Sequence, residues 1–262
     1  MDSNVKARLI CDLKALGVCE GDTVLMHSAY KPLGLERGGA CDFFDAFFEL
    51  LGENGTLVLP TLSYATVTRD NPVFDYYNTP SCVGYLSEYF RSEYQGTVRS
   101  MHPTHSCAAK GRLAKALTID HELDLTPVGK NSPFTKLPQY NGKILMLGCN
   151  FGSITSMHGV EETAEPPYCI DRKNPIEYTL VKGDTVIKQN ALRHNFNTED
   201  GHVNQRYIRI LDLLEEGTEY KIGQVLSANA CLIRASALWE KGHKKLLEDP
   251  IYFVDYPSPK IK

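Results

Sequence analysis

Residues 155–165 read TSMHGVEETAE. On a helix, His158, Glu161, Glu162 and Glu165 stand at i, i+3, i+4 and i+7, which gathers an imidazole and three carboxylates on one face. A carboxylate beside a histidine selects its tautomer, raises its basicity and stabilises the imidazolium that forms when it takes a proton. A general base acting on an amine needs those three things, and the further carboxylates suit a cationic substrate. The same spacing also fits a solvated acidic helix with a surface histidine. Spacing alone does not choose between them.

Three other segments carry residues unusual for plain scaffold. Residues 26–34 (MHSAYKPLG) follow an apolar run and mix hydroxyl, basic, Gly and Pro residues. An α/β protein would present backbone N–H groups and a lysine to a phosphate at such a place. The glycine pattern of the standard nucleotide loops is missing, so no nucleotide assignment follows. Residues 99–106 (RSMHPTHS) set two histidines and an arginine around Pro103. The HxxH spacing invites a metal, but a loop interrupted by proline cannot use the helical geometry of metal-binding histidine pairs. Residues 130–133 (KNSP) are a turn.

The elements that must position these residues alternate in type. Residues 5–16 carry apolar side chains at helical spacing, and 41–51 (CDFFDAFFELL) form a strongly amphipathic helix with one aromatic face. Short apolar strands are expected at 22–27 (DTVLMH), 55–61 (GTLVLPT) and 143–149 (KILMLGC). Helices are expected at 83–94, 111–117 and 155–165, the last stopped by Pro166 and Pro167. Residues 64–80 hold turn formers without periodicity and read as a long loop, which in a compact domain is usually functional. Further on, 178–188 (YTLVKGDTVIK) is a hairpin around Lys182, Gly183 and Asp184, and 189–204 are polar and irregular. Then come a helix at 205–214, a strand at 228–233 and a helix at 235–247. Alternation of this kind predicts an α/β fold, a mostly parallel central sheet covered by helices on both faces, with a β-rich C-terminal portion. With no repeat and no linker, residues 1–262 are expected to form a single domain.

Bulk composition narrows the classes. The chain has 262 residues, 42% of them hydrophobic and 23% charged, with a net charge of −4. That balance argues against a nucleic-acid partner, which leaves a basic patch. Residues 1–17 lack the apolar stretch and cleavage site of a signal peptide. The longest apolar runs, such as 56–59 and 144–147, are far too short to span a bilayer, so no membrane partner and a cytoplasmic location are expected. The eight cysteines show no CxxC pair and no cluster, and read as free thiols, mostly buried as small hydrophobes.

Taken in order, MHSAYKPLG, GTLVLPTLSY, FDYYNTPSCVG, RSMHPTHSCAAKG, GKNSPF, KILMLG and TSMHGVEE resemble the aminoglycoside 3-N-acetyltransferase family. The resemblance runs from about residue 20 to 170 and weakens towards the C-terminus. It implies a three-layer α/β/α fold and direct transfer of an acetyl group from acetyl-CoA, as co-substrate, to an amine. It needs no metal and no covalent enzyme intermediate. Position by position, it implies His158 as the base and Glu161 as its carboxylate, with Thr61 and Asp75 as further catalytic positions. The HSxxxxLG block places His27, Ser28, Ala29, Lys31 and Gly34 against CoA, and the HPxxS block adds His102 and Ser106. Asp75, Glu162 and Glu165 are the candidate substrate-binding acids. Two departures stand out: Gly159 follows the histidine, which loosens the helix by roughly 1 kcal/mol relative to alanine, and Glu162 adds a second acid beside Glu161. The expected acceptor is an aminoglycoside or related amino sugar. An amino-sugar nucleotide from surface-polysaccharide or antibiotic biosynthesis is the alternative, and a homodimer is left open. A rival from another class is a metal-dependent hydrolase using His102, His105 and His158.

Overall fold

The runs TVLMHS (β1, Thr23–Ser28), TLVLP (β2, Thr56–Pro60) and KILML (β6, Lys143–Leu147) are apolar on both alternating faces, so each can be satisfied only between two layers of helices. In the computed structural model, which describes residues 2–36, 38–198 and 201–255, they lie side by side and parallel at the centre of a seven-stranded sheet. Leu25 sits opposite Val58 on one side and Ile144 on the other. Met1 and residues 199 and 200, which fall within stretches interpreted above, lie outside the described residues.

The remaining strands extend this centre. In chain order they are β3 (Val73–Asp75), β4 (Val98–Arg99), β5 (Cys107–Gly111), β7 (Ile176–Lys182), β8 (Thr185–Ala191), β9 (Asn197–Thr198), β10 (Gly201–His202), β11 (Asn204–Gln205), β12 (Tyr220–Val225), β13 (Ala228–Arg234) and β14 (Val254–Asp255). The large sheet runs β12-β13-β6-β1-β2-β5-β4. Only β5 and β13 point against the rest, because each pairs antiparallel with its neighbours.

Helices α1 (Ser3–Leu16), α2 (Ala40–Leu51) and α3 (Tyr85–Ser92) cover one face. There Leu9, Leu13, Phe43, Phe47 and Phe90 pack on Val24, Met26, Leu57 and Leu145. Helices α4 (Ala114–Thr118), α5 (Pro133–Lys136), α6 (Ser156–Ala164) and α7 (Ala235–Glu248) cover the other, where Phe134, Met157, Val160 and Leu238 meet Leu25, Val58, Ile144 and Ile233. Val24 and Leu25 thus serve opposite cores, as strand alternation requires. No helix among the described residues is long and apolar enough to cross a membrane.

Several elements differ from the sequence expectation. Residues 64–80 are not all loop: β3 pairs parallel with β7, Phe74 opposite Leu180, and ties the segment to the hairpin β7–β8. Gly111 ends β5 rather than starting a helix. Its φ is +120°, and a Cβ there would lie 2.1 Å from the Gly55 carbonyl oxygen, so the helix begins only at Ala114. The expected helix at 205–214 is a strand residue followed by tight 3-10 turns over Tyr207–Leu213. All eight cysteines are free, but Cys11, Cys19 and Cys41 are exposed, so burial as small hydrophobes accounts for Cys107, Cys169 and Cys231 and not for the whole set.

Candidate active site

The chain segments leaving β1, β2 and β6 and the one entering β5 meet at one edge of the sheet, since Pro60 pairs with Cys107 and Ser28 with Leu147. Open α/β sheets bind ligands at the carboxyl ends of their strands. A cleft of about 630 Å³ opens here, walled by His27 and Ser28 from the end of β1, His105 before β5, and His158 on α6. Arg193 and His194, from the polar segment after β8, complete that wall.

His158 stands in the first turn of α6, and its Nδ1 lies 3.4 Å from Glu161 Oε2, three residues on. Glu161 is completely buried. Its carboxylate accepts the Tyr168 hydroxyl at 3.2 Å on Oε1 and the Tyr207 hydroxyl at 2.7 Å on Oε2. Tyr207 also lies 2.9 Å from His158 Nδ1. A phenol has one proton and an ionised carboxylate can only accept, so Tyr207 donates to Glu161 and accepts from Nδ1–H. That hydrogen-bond pattern assigns the Nδ1–H tautomer and leaves Nε2 with its lone pair free. Burial and the neighbouring Glu161 carboxylate hold the Tyr207 phenol well above its ordinary pKa, so it stays protonated in this role.

A second histidine–carboxylate pair lies against the first. His194 Nε2 is 2.7 Å from Glu162 Oε1, and the same oxygen accepts the Val128 backbone N–H at 2.8 Å. The His194 and His158 rings are 4.6 Å apart between centroids, and His105 stands edge-on to His194 at 4.9 Å. Burial pushes the Glu162 carboxyl up to about 7, while burial and the nearby His158 hold His194 well below its ordinary value. Glu162 thus takes His194 as its hydrogen-bond partner, with the charge of His158 still acting on it. Glu165, the third acid of the helical face, is exposed and pairs with Arg172 at 2.6 Å beside a separate cleft of about 690 Å³.

The remaining candidates divide between the wall and the layer behind it. His27 and Ser28 line the cleft. Burial, with His158 nearby, lowers His27 to about 3. The Ala29 N–H is occupied by the Leu147 carbonyl at 2.9 Å. Lys31 is exposed in a short turn that Gly34 closes at φ +73°. Thr61, His102 and Ser106 are wholly buried behind the wall. The Thr61 and Ser106 hydroxyls are 3.0 Å apart, and the buried Arg99 donates to the Ser106 hydroxyl and to the Thr61 and Thr79 carbonyls. Asp75 caps a turn, accepting from the N–H groups of Tyr77 and Asn78 and from the Asn78 amide, and does not reach the cleft.

His102 spends Nδ1 on the N–H groups of Thr104 and His105 and stacks on His121 at 4.8 Å; burial lowers it to about 3. Its ring lies 6.2 Å from that of His105 and nearly perpendicular to it. Among the described residues no three His, Cys, Asp or Glu side chains are grouped to hold a metal ion, so the hydrolase constellation of His102, His105 and His158 does not assemble.

His194, Tyr207 and Tyr168 were not picked out in the sequence. Their segments read as polar or merely structural, and the usable signal is a histidine between Arg193 and Asn195 in a long irregular stretch, the kind of segment that tends to be functional.

A family model described as aminoglycoside 3-N-acetyltransferase matches residues 25–247. Aminoglycoside N(3)-acetyltransferase VII of Streptomyces paromomycinus is 32% identical over 238 residues, which is 82% of this chain and 76% of that protein. Aminoglycoside N(3)-acetyltransferase IV of Salmonella sp is 29% identical, covering 97% of this chain and 91% of its own length. Among solved structures, a mutant of aminoglycoside acetyltransferase AAC(3)-IVa in complex with a gentamicin superposes with a TM-score of 0.79 at 29% identity, covering 96% of this chain and 92% of the other. AAC-IIIb in a binary complex with CoASH gives 0.78 at 26% identity, covering 97% and 98%. With a family model spanning most of its length, the chain belongs to the aminoglycoside 3-N-acetyltransferase family, a family of acyltransferases.

Proposed function

We propose that this protein transfers the acetyl group of acetyl-CoA to an amine of an aminoglycoside or related amino sugar, with His158 as general base. The observation that carries the reading is the hydrogen-bonded chain His158–Tyr207–Glu161, which leaves His158 Nε2 unprotonated at a cleft wall. Nε2 takes a proton as the amine nitrogen attacks the thioester carbonyl. The imidazolium that results is stabilised by the buried Glu161 carboxylate, directly and through the Tyr207 hydroxyl. General-base help of this kind is worth about 10²–10⁴ in rate.

The chain fits CoA on one observation of its own. His27 Nε2 and Ser28 Oγ lie in residues that wall the cleft, are buried, and have no hydrogen-bond partner among the described residues. Buried polar atoms are normally paired, which supports these two as contacts for a bound ligand. Ser28 Oγ is the donor we assign to the oxyanion, because the Thr61 hydroxyl is already engaged by Ser106 and the Ala29 N–H by Leu147. Lys31, exposed in the turn that follows β1, is the cation we assign to the CoA phosphates.

The acceptor class follows the relatives, whose solved complexes include a gentamicin and sisomicin. An amino-sugar nucleotide is the second reading, favoured by Arg193 on the cleft wall, where a guanidinium suits phosphate. We also infer that the chain acts as one domain, since β13 pairs directly with β6 and the C-terminal Tyr207 completes the dyad. Eight free cysteines suit a reducing, cytoplasmic setting.

The test is thiol release from acetyl-CoA against gentamicin, sisomicin and an amino-sugar nucleotide. Turnover with an aminoglycoside supports the proposal, whereas turnover with the nucleotide alone moves the acceptor. His158→Ala should lower kcat by at least 10² and leave CoA binding within about twofold. Near-normal turnover by that variant would overturn the base assignment.

A further inference from the structure

An amine acceptor arrives at neutral pH as an ammonium ion, so two protons must leave nitrogen before the amide is complete. His158 takes the one released as the C–N bond forms. The first has to go elsewhere, and among the described residues the cleft holds one other imidazole backed by a carboxylate. We infer that His194, with Glu162 behind it, is a second catalytic pair that deprotonates the ammonium before attack, an inference that rests on the amine-acetylating reading above.

The geometry is specific. His194 lines the cleft, and its ring is 4.6 Å from that of His158, so one bound amine can meet both. Its Nε2 is committed to Glu162 at 2.7 Å, while Nδ1 has no partner among the described residues. Both side chains are shielded, His194 8% and Glu162 5% exposed, so a proton taken up by the pair is held away from solvent. The Val128 N–H fixes the carboxylate in place at 2.8 Å.

The step balances. In the receiving state Glu162 is ionised and His194 neutral, with its proton on Nε2. The ammonium gives a proton to Nδ1 and the Nε2 proton passes to Glu162, leaving a neutral amine beside a neutral carboxylic acid–imidazole pair. The amine then attacks, His158 takes the second proton, the C–S bond breaks, and the thiolate takes up one proton while the other goes to solvent. Burial already places Glu162 at about 7, so the pair gains or loses one proton close to neutrality. The charged and titratable groups facing it are His158 and Glu161 from α6, His105 and His102 from the segment before β5, and Arg193 alongside. Arg172 and Asp124 lie near Glu162.

The test uses His194→Gln, which keeps a side-chain amide that can still bond Glu162, and Glu162→Gln, which cannot accept a proton. kcat/KM for acetyl-CoA with sisomicin is measured from pH 6.5 to 9.5. Each variant should be 10- to 100-fold slow at pH 7, and the deficit should shrink to under threefold at pH 9, where the amine is supplied neutral. The His158→Ala deficit should persist across the range. A His194→Gln deficit that does not change with pH overturns this inference and leaves the acetylation reading standing. A wild-type chain without turnover at any pH overturns both. Ring ¹⁵N NMR gives a readout besides activity: His194 Nδ1 should change protonation between pH 6 and 8.5 in the wild type and not in Glu162→Gln. A His194 signal unchanged over that range in the wild type overturns the inference.

Discussion

Tyr207 controls which nitrogen of His158 carries the proton, because its hydroxyl is the closest group to Nδ1 and the 3.4 Å contact to Glu161 is too long to do so alone. Replacing it with phenylalanine removes one donor from a wholly buried carboxylate and lets the imidazole choose the other tautomer. Tyr207→Phe should lower kcat by about 10- to 100-fold, or about 1.4–2.7 kcal/mol of barrier, with KM for acetyl-CoA little changed. The orphaned Glu161 oxygen should lower folding stability by about 1–3 kcal/mol, read as a urea midpoint shift. A kcat within twofold of wild type would show that the direct contact to Glu161 suffices. His158 and Glu161 were legible beforehand because they are three residues apart on one helix. Tyr207 lies 46 residues from Glu161, and His194 lies 32 from Glu162, and no local pattern reports such contacts. For the same reason the acids of the helical face looked equivalent, whereas the fold gives each a different partner.

At the level of elements, α6 shows where a propensity argument reaches its limit. Gly159 weakens an isolated helix, yet a Cβ there would lie 2.4 Å from the Trp239 ring on α7 and 2.6 Å from Val128. The glycine lets α6 approach α7 closely enough to bury Met157 and Val160 beside Leu238 and to hold His158 at the cleft. Gly159→Ala should therefore destabilise the chain by about 1–3 kcal/mol through overpacking, despite the roughly 1 kcal/mol that alanine contributes to helix propensity. In a Trp239→Leu background the same change should cost under half as much, a coupling that a double-mutant cycle in urea would measure. Equal costs in the two backgrounds would refute the close-packing account. The strands and helices with strong internal pattern, β1, β2, β6, α2 and the hairpin β7–β8, were readable from their own residues. The short strand β3 was not, because three residues carry no periodicity and its partner β7 lies about a hundred positions away. Gly111 reads as a helix start because the close approach of Gly55 is visible only in three dimensions.

For the molecule as a whole, a net charge of −4 gave no hint that imidazoles from five separate segments would collect around one cleft. His27 and His102 are lowered by burial to about 3, and His105, His121 and His194 are also held well below the ordinary 6.5 by burial. In the unfolded chain these groups bind protons below about pH 6.5, whereas in the folded chain they do not. The unfolded state then holds more protons, so stability is complete above 6.5 and falls as pH drops towards 3. Each such histidine contributes a slope of up to about 1.4 kcal/mol per pH unit in that window. Glu162 works in the opposite sense, since its folded value of about 7 exceeds the unfolded 4.5 and its contribution is lost as pH rises between them. Asp124, its carboxyl raised by burial, acts in the same sense as Glu162, and two opposing groups do not offset five. The urea midpoint should therefore fall steeply from pH 6.5 to 5, with cooperative unfolding before pH 4. His121→Gln, which removes a fully buried imidazole bonded to Ser100, should start less stable but flatten the slope by about 1.4 kcal/mol per unit. A wild-type midpoint that stays level between pH 6.5 and 5 would mean that these histidines are not held neutral, and the packing around the cleft would have to be looser than the burial of His102 and His121 implies.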